Sequence, residues 1–284
     1  MIKKIAFSLF IILFILFSLL ETFDTKSSEQ LDASFKRALT TFAMARVLNG
    51  LVSVVQGTEV NVSPAGLGAT FAPGQLLDPI NDMVERFSWV MLMSTVSIGT
   101  QEVMLELGKS LFFKVLFGIT GLLFLLQLWV KKPLLPWGIA RTFQVIVILG
   151  VLRFSVPFLV MLNGVVYEEV LSPEYNSAFT LVEKHAAEVE MMVENVRTKE
   201  QQVQEPSSFI ERFNVSRKYE NFKREMREQV DAFILQFNMM MESMIKLITV
   251  FILNTIVIPI GALWLFIWGG KLLFRLDFKT VFNT

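Results

Sequence analysis

Four apolar runs, each long enough to cross a bilayer, are the feature that most constrains this chain. They lie at about residues 1–20, 111–130, 142–166 and 247–268. About 20 apolar residues cross the hydrocarbon core as a helix, and a helix satisfies its own backbone hydrogen bonds inside lipid. A hydrophobic content of 53%, with 27 Phe, agrees with this assignment. The sequence therefore predicts a mainly α, integral membrane fold with four transmembrane helices.

The flanking charges predict how these helices are oriented. Residues 1–20 have a basic start and an apolar core but no small-residue cleavage motif, which indicates an uncleaved signal anchor. Lys and Arg in short flanks mark the cytoplasmic side. If both termini are cytoplasmic (N-in, C-in), the basic residues on the cytoplasmic side are Lys3, Lys4, Lys131, Lys132, Arg141, Lys271, Arg275 and Lys279. We expect a multi-pass protein of a bacterial inner membrane, with residues 21–110 and 167–246 extracytoplasmic.

The first external segment, residues 21–110, is predicted to be a small α or α+β region. A capping-box pattern at Ser27–Gln30 indicates a helix start, and this amphipathic helix is expected to end near Gly50. Residues 52–62 are compatible with a short β-hairpin around Gly57, and a Gly/Pro-rich loop follows. Residues 87–98 are apolar on nearly every face but too short to span a membrane. We expect a buried or interfacial helix there, and a re-entrant segment is the open alternative.

The second external segment, residues 167–246, is predicted to be an antiparallel coiled-coil hairpin. Apolar residues recur in steps of three and four, which is typical of a heptad seam. The predicted seam comprises Phe179, Val182, Ala186, Val189, Val193, Val196, Tyr219, Phe222, Met226, Phe233 and Phe237. The first helix is mostly acidic and the second richer in basic residues, which favours their pairing. Residues 111–166 hold the second and third spans with a short basic cytoplasmic loop, and residues 247–284 the fourth span and a cytoplasmic tail.

Arg153, near the middle of the third span, is the first candidate site. A charge at that depth costs roughly 2.5–3.5 kcal/mol on insertion scales and suggests a function. The four spans contain no Asp or Glu, so its expected partner is an amide, a backbone carbonyl, water, a lipid phosphate or an anion. Either Arg153 lies near a water-lined pore or an anion or lipid site, or it extends to the cytoplasmic headgroups. The amides available are Gln127, Gln144, Asn163 and Asn254.

Three other residues in the spans are also candidates for a role in the membrane. Lys114, near the outer end of the second span, is expected to extend toward the outer headgroups. Pro157 and Pro259 lie inside the third and fourth spans. They are either gating hinges or kinks that neighbouring helices accommodate.

The composition narrows the function classes. The chain has no Cys and a single His, His185, so thiolate and imidazole chemistry is poorly supplied. No cofactor, metal site or catalytic residue set is predicted, and the protein is not expected to be an enzyme. A formal net charge of zero argues against nucleic-acid binding. The expected partners are the lipid bilayer and either further copies of the chain or another membrane or envelope protein.

Three functions are compatible with these observations. The favoured one is a non-enzymatic membrane scaffold or adaptor acting through the hairpin. The alternative is a homo-oligomeric channel or transporter subunit, with Arg153 near a water-lined or anion/lipid site. A membrane-bound enzyme is third.

Overall fold

The computed structural model describes residues 2–57, 60–62, 69–71, 77–130, 138–202 and 211–274. This part of the chain is almost entirely helical. Its helices are α1 (Ile2–Leu19), α2 (Glu21–Gln56), α3 (Asp78–Lys109), α4 (Leu111–Trp129), α5 (Gly138–Val166), α6 (Ser172–Gln202), α7 (Glu211–Ile252) and α8 (Ile258–Phe274). Short π-helical turns join α5 to α6 (Tyr167–Leu171) and α7 to α8 (Leu253–Val257). Strands β1 (Val60–Val62) and β2 (Ala69–Phe71) pair antiparallel.

Four helical stretches among the described residues are long and apolar enough to cross a membrane. They are Glu21–Gln56, Leu111–Trp129, Gly138–Asn195 and Arg227–Leu272. The helical class and the number of four are therefore confirmed. The observed set differs from the predicted set at its first member. The apolar stretch Lys4–Leu19 of α1 is shorter than the length required to span a membrane, whereas α2 has that length.

The structure divides into two compact units. Unit 1 comprises residues 1–36, 96–169 and 253–284, and unit 2 comprises residues 37–95 and 170–252. Each unit therefore draws on separated parts of the chain.

In unit 1, the apolar helices pack with alternating directions. α1 runs parallel to α5, since Phe7 contacts Phe143 and Phe14 contacts Phe154. α4 runs antiparallel to both, since Phe117 contacts Phe154 and Phe124 contacts Phe143. α8 is also antiparallel to α5. A core of aromatic and branched side chains joins α1, α4 and α5: Ile11, Phe117, Phe124, Phe143, Ile146, Val147, Leu149 and Phe154.

Residues 21–110 fold differently from the prediction. α2 begins at Glu21, and the hydroxyl of Ser27 donates to the carbonyl of Phe23 within the helix (2.9 Å), so Ser27 is not a helix cap. Acidic side chains in the first turn favour the earlier start. The helix also continues past Gly50 to Gln56, which makes the β-hairpin prediction for residues 52–62 wrong. Val52 and Val55 are buried at helical spacing, so packing overrides their preference for strands.

In unit 2, buried residues recur at heptad spacing on α2 and α3. On α2 they are Ala38, Thr41, Ala45, Leu48, Val52 and Val55, and on α3 they are Ile80, Val84, Phe87 and Met91. The apolar segment predicted at residues 87–98 lies within α3. One face of it is buried, whereas Trp89 on the other face is 62% exposed.

The α6–α7 hairpin of unit 2 buries most of the described part of its predicted seam. His185 meets Gln236 and Tyr175 meets Phe251, so the two helices run antiparallel. The buried seam residues are Val182, Ala186, Val189, Val193, Val230, Phe233, Phe237, Met240 and Met244. Phe179 is only half-buried and stacks on Tyr175, while Ala178 takes the buried position. The side chains of Val196, Tyr219, Phe222 and Met226 lie outside the described residues.

Candidate functional site

The guanidinium of Arg153 is held by a carboxylate in unit 1. Nη1 and Nη2 donate to Oδ1 and Oδ2 of Asp24 at 2.8 and 2.7 Å, and Nη2 also donates to the carbonyl of Ser18 at 3.1 Å. The Arg153 side chain is 1% exposed and that of Asp24 is 5% exposed. This is the two-pronged geometry in which arginine binds carboxylates most strongly.

The set of partners expected for Arg153 was therefore incomplete. A backbone carbonyl was among the expected partners, but the main one is Asp24. The prediction placed residues after Leu20 outside the membrane and so passed over this carboxylate. Only Leu20 separates α1 from α2, and the hydroxyl of Ser27 reaches the carbonyl of Pro157 at 3.4 Å. The first turns of α2 therefore pack on α5, which brings Asp24 to Arg153.

A second cation shares the same carboxylate. Nζ of Lys114, in the first turn of α4, lies 3.3 Å from Oδ2 of Asp24, and the Lys114 side chain is only 12% exposed. This contact with Asp24 was not expected from the sequence, which predicted only that Lys114 extends toward the outer headgroups. Asp24, Arg153 and Lys114 form what we call the ionic cluster.

Aromatic rings surround the ionic cluster on the α1 side. The centre of the Arg153 guanidinium lies 5.4 Å from the Phe154 ring centroid, within the range of a cation–π contact. Phe14 and Phe17 pack on Phe154 with centroid distances of 4.6 and 5.8 Å. The ion pair therefore lies in an apolar environment, where its electrostatic attraction is little screened.

A cleft of about 480 Å³ adjoins the ionic cluster. It is formed by the start of α2, the end of α3 and the start of α4. Its walls are acidic, basic and hydroxyl side chains: Glu21, Asp24, Thr25, Ser28, Glu106, Lys109, Ser110 and Lys114. The sequence carried a signal for it, because Glu21, Asp24, Thr25 and Ser28 recur at the spacing of one helix face.

Among the residues that the structure describes, Lys109 connects two walls of this cleft. Its Nζ donates to Oγ of Ser28 at 3.1 Å and forms an ion pair with Glu106 one turn earlier on α3. Lys114 is the second lysine in the lining. The cleft therefore presents ammonium groups and carboxylates within one small volume.

The four amides proposed as partners of Arg153 lie elsewhere. Gln144 is exposed, and both polar atoms of the Gln127 amide are buried without a hydrogen bond to the described residues. Asn163 and Asn254 are brought together, because Nδ2 of Asn163 donates to the backbone carbonyl of Asn254 at 2.8 Å. Asn254 is 6% exposed.

Pro259 explains why the Asn254 carbonyl accepts a hydrogen bond from a side chain. Proline has no N–H, so it cannot donate to the carbonyl four residues back (Thr255) or five residues back (Asn254). Asn163 pairs with the Asn254 carbonyl, and Oγ of Ser97 donates to the Thr255 carbonyl at 3.0 Å. α3 and α5 therefore satisfy the π-helical turn, as an accommodated kink requires.

Pro157 lies buried inside α5. It deprives the Arg153 carbonyl of its usual helical donor, since it follows Arg153 by four residues. At the same level, α3 approaches closely through Gly108. A Cβ built on Gly108 would lie 3.6 Å from the Arg153 carbonyl oxygen. A Cβ at that position would make ordinary van der Waals contact, so α3 lies directly against α5 beside Arg153.

His185 is part of the hairpin of unit 2. Its Nδ1 lies 2.7 Å from Oε1 of Gln236 on α7 and 3.2 Å from Oε2 of Glu188. Only 14% of the side chain is exposed, so the single histidine links the two hairpin helices.

Comparison with protein-family models, with curated proteins and with solved structures finds no match to this chain. Among the described residues, no group of three or more His, Cys, Asp or Glu side chains is arranged to hold a metal ion.

Proposed function

We propose that this protein is a non-enzymatic membrane scaffold that presents the α6–α7 hairpin to a second copy of itself or to another envelope protein. We assign it to a bacterial inner membrane as a multi-pass protein with the hairpin on the periplasmic side. The basic flanks noted in the sequence motivate that orientation.

One observation carries the proposal. The seam is already buried within the hairpin, because Val182, Phe233 and Met240 are at most 2% exposed. Leu235 and Met239 nevertheless remain 60% and 46% exposed on α7. Each follows a seam residue by two positions, about 200° around the helix, and so faces away from α6. Exposed apolar groups that the fold itself does not use are candidates for contact with a partner.

The ionic cluster supports a scaffold over a channel. The channel alternative depended on Arg153 facing a water-lined path. Arg153 is instead 1% exposed and bound to Asp24 by both terminal nitrogens. Such a pair braces α2 against α5 within unit 1, which suits a scaffold better than a water-lined path.

Crosslinking in native membranes tests the proposal. The chain has no Cys, so Leu235→Cys introduces a single reactive thiol. We expect a maleimide–diazirine reagent, which is attached to this thiol and then photo-crosslinks to any nearby side chain, to convert this variant to an adduct heavier than the 32.4 kDa chain. Mass spectrometry of the adduct identifies the partner as a second copy or another protein.

Glu190→Cys, exposed on α6, is the matched control and is expected to crosslink less. An added Met239→Glu should reduce the Leu235→Cys adduct, because it places a charge in the proposed contact. The scaffold proposal fails if Leu235→Cys and Glu190→Cys both remain monomeric in membranes that contain all native partners.

A further inference from the structure

The three residues of the ionic cluster carry one net positive charge, and among the described residues Asp24 is the one carboxylate within 4 Å of Arg153 and Lys114. In their ordinary ionised forms, Arg153 and Lys114 contribute two positive charges and Asp24 one negative charge. All three side chains are largely buried, at 1%, 12% and 5% exposure. A buried charge without a counter-ion is costly, so the cluster favours an additional anionic group.

Lys114 is the member through which an anion can reach the cluster. It lines the 480 Å³ cleft, whereas Arg153 does not. An ammonium group has three donors, and Asp24 is the one carboxylate within 4 Å of Lys114 among the described residues. Glu106 is already paired with Lys109. The surplus charge is therefore accessible from the cleft.

The start of α4 adds to the attraction for an anion. Ser110 caps this 19-residue helix, and its hydroxyl accepts from the Phe113 N–H at 3.5 Å. Ser110 and Lys114 both line the cleft. The positive end of the helix dipole therefore points to the same volume as the surplus charge, and anions bind favourably there.

The position of the cleft indicates the source of the anion. Leu111–Trp129 is long and apolar enough to cross a membrane, and Lys114 lies in its first turn. That level corresponds to the boundary between hydrocarbon and headgroups, where the phosphates of phospholipids lie.

The carboxylates that line the cleft indicate which lipid headgroup the cleft can bind. Glu21 is exposed and makes no ion pair within 4 Å among the described residues, and Glu106 is also exposed. A headgroup with phosphate alone would be repelled by these carboxylates. A phosphate joined through two carbons to an ammonium group would place each charge near its opposite.

We propose that this cleft binds the phosphoethanolamine headgroup of a phospholipid. Lys114 and Lys109 bind the phosphate, with Ser28 and Ser110 as hydroxyl donors, and Glu21 binds the ammonium group. Because this headgroup is zwitterionic, its phosphate pairs with the positive charge at Lys114 and its ammonium group pairs with Glu21, and the net charge of the site does not change. This site is separate from the hairpin contact proposed above and does not depend on it.

Native mass spectrometry of the full-length protein in detergent tests the proposal. Phosphatidylethanolamine, phosphatidylglycerol or phosphatidylcholine with identical acyl chains is added to delipidated protein. We expect phosphatidylethanolamine to bind best. Lys114→Met should lower its affinity about ten-fold or more, because a hydrogen bond to a charged group has at least that effect.

Two further variants separate binding from folding. Lys114→Met leaves a neutral Arg153–Asp24 pair, so its unfolding temperature without lipid should equal or exceed that of the wild type. Glu21→Gln should reduce the preference for phosphatidylethanolamine over phosphatidylglycerol while phosphate binding persists. Lys246→Met, which removes an exposed lysine paired with Glu242 in unit 2, should not change lipid binding.

Inorganic phosphate is the competing ligand. If it raises the unfolding temperature as much as phosphatidylethanolamine does, and Lys114→Met abolishes both effects, the site binds free phosphate and the lipid proposal is overturned. Equal phosphatidylethanolamine affinity in Lys114→Met and Lys246→Met would also overturn it.

Discussion

At the residue scale, Asp24 is the carboxylate on which the packing of unit 1 depends most. It accepts hydrogen bonds from Arg153 and is the counter-ion of Lys114. Removing it leaves two like charges buried together, whereas removing Arg153 still leaves Asp24 a partner in Lys114. The loss of Asp24 should therefore cost more stability than the loss of Arg153, although both break the same ion pair.

We predict that Asp24→Asn destabilises the protein by about 3–5 kcal/mol, the usual cost of breaking a buried pair, and that Arg153→Met has a smaller effect. Denaturant unfolding in detergent, followed by tryptophan fluorescence, measures the difference. Lys246→Gln, at an exposed ion pair, is the control and should leave the stability close to that of the wild type. Equal losses in Asp24→Asn and Arg153→Met would contradict the role given to Lys114.

A second residue-scale prediction concerns the hydrogen bond that Ser97 donates to the Thr255 carbonyl near Pro259. Ser97→Ala should cost about 0.5–1.5 kcal/mol, because it removes this hydrogen bond. Pro259→Ala restores a backbone N–H, so the cost of Ser97→Ala should fall by half or more in that background. A double-mutant cycle of unfolding free energies measures this coupling. Additive effects would show that Ser97 does not compensate for the proline.

These residue contacts mark the limit of sequence-based prediction. Arg153 could be identified because a charge within an apolar run is conspicuous. Asp24 could not be identified as its partner, because the two residues are 129 positions apart in sequence. They meet only because the start of α2 packs beside α5. Likewise, Pro259 indicated a kink, but nothing local identified Ser97 and Asn163 as the donors that satisfy it.

At the element scale, the hairpin was the most predictable part of the chain. Heptad spacing identifies the residues that α6 and α7 bury, because such spacing has few explanations other than helix packing. The same regularity is present on α2, but Val52, Val54 and Val55 suggested a strand. Short apolar stretches rich in valine are ambiguous until their packing partners are known.

The hairpin supplies a matched pair of variants two residues apart. Phe237→Ala should destabilise the protein by about 3–5 kcal/mol, because it opens a cavity in the seam. Leu235→Ala, at an exposed position, should change stability by no more than about 0.5 kcal/mol. Hydrogen exchange of the α6 and α7 amides measures both effects. A comparable loss of protection in Leu235→Ala would indicate that the outward face is already used within the fold.

At the scale of the whole molecule, composition and apolar run length correctly predict that the described part of the chain is helical and holds four helices long and apolar enough to span a membrane, although the first of the four is α2 and not α1. They do not predict how the chain divides. Each compact unit combines segments far apart in sequence, and such long-range packing depends on contacts that local patterns do not encode. The proposed scaffold function draws on one feature of each unit: the ionic cluster in unit 1, and the exposed apolar groups of the hairpin in unit 2.

A single-particle image of the full-length protein, purified in mild detergent, tests this account most directly. We predict that α7 contacts a second copy or another protein through Leu235 and Met239, and that Arg153 remains bound to Asp24 away from any water-filled path. A strictly monomeric particle, or an oligomer in which Arg153 lines a continuous central channel, would contradict it.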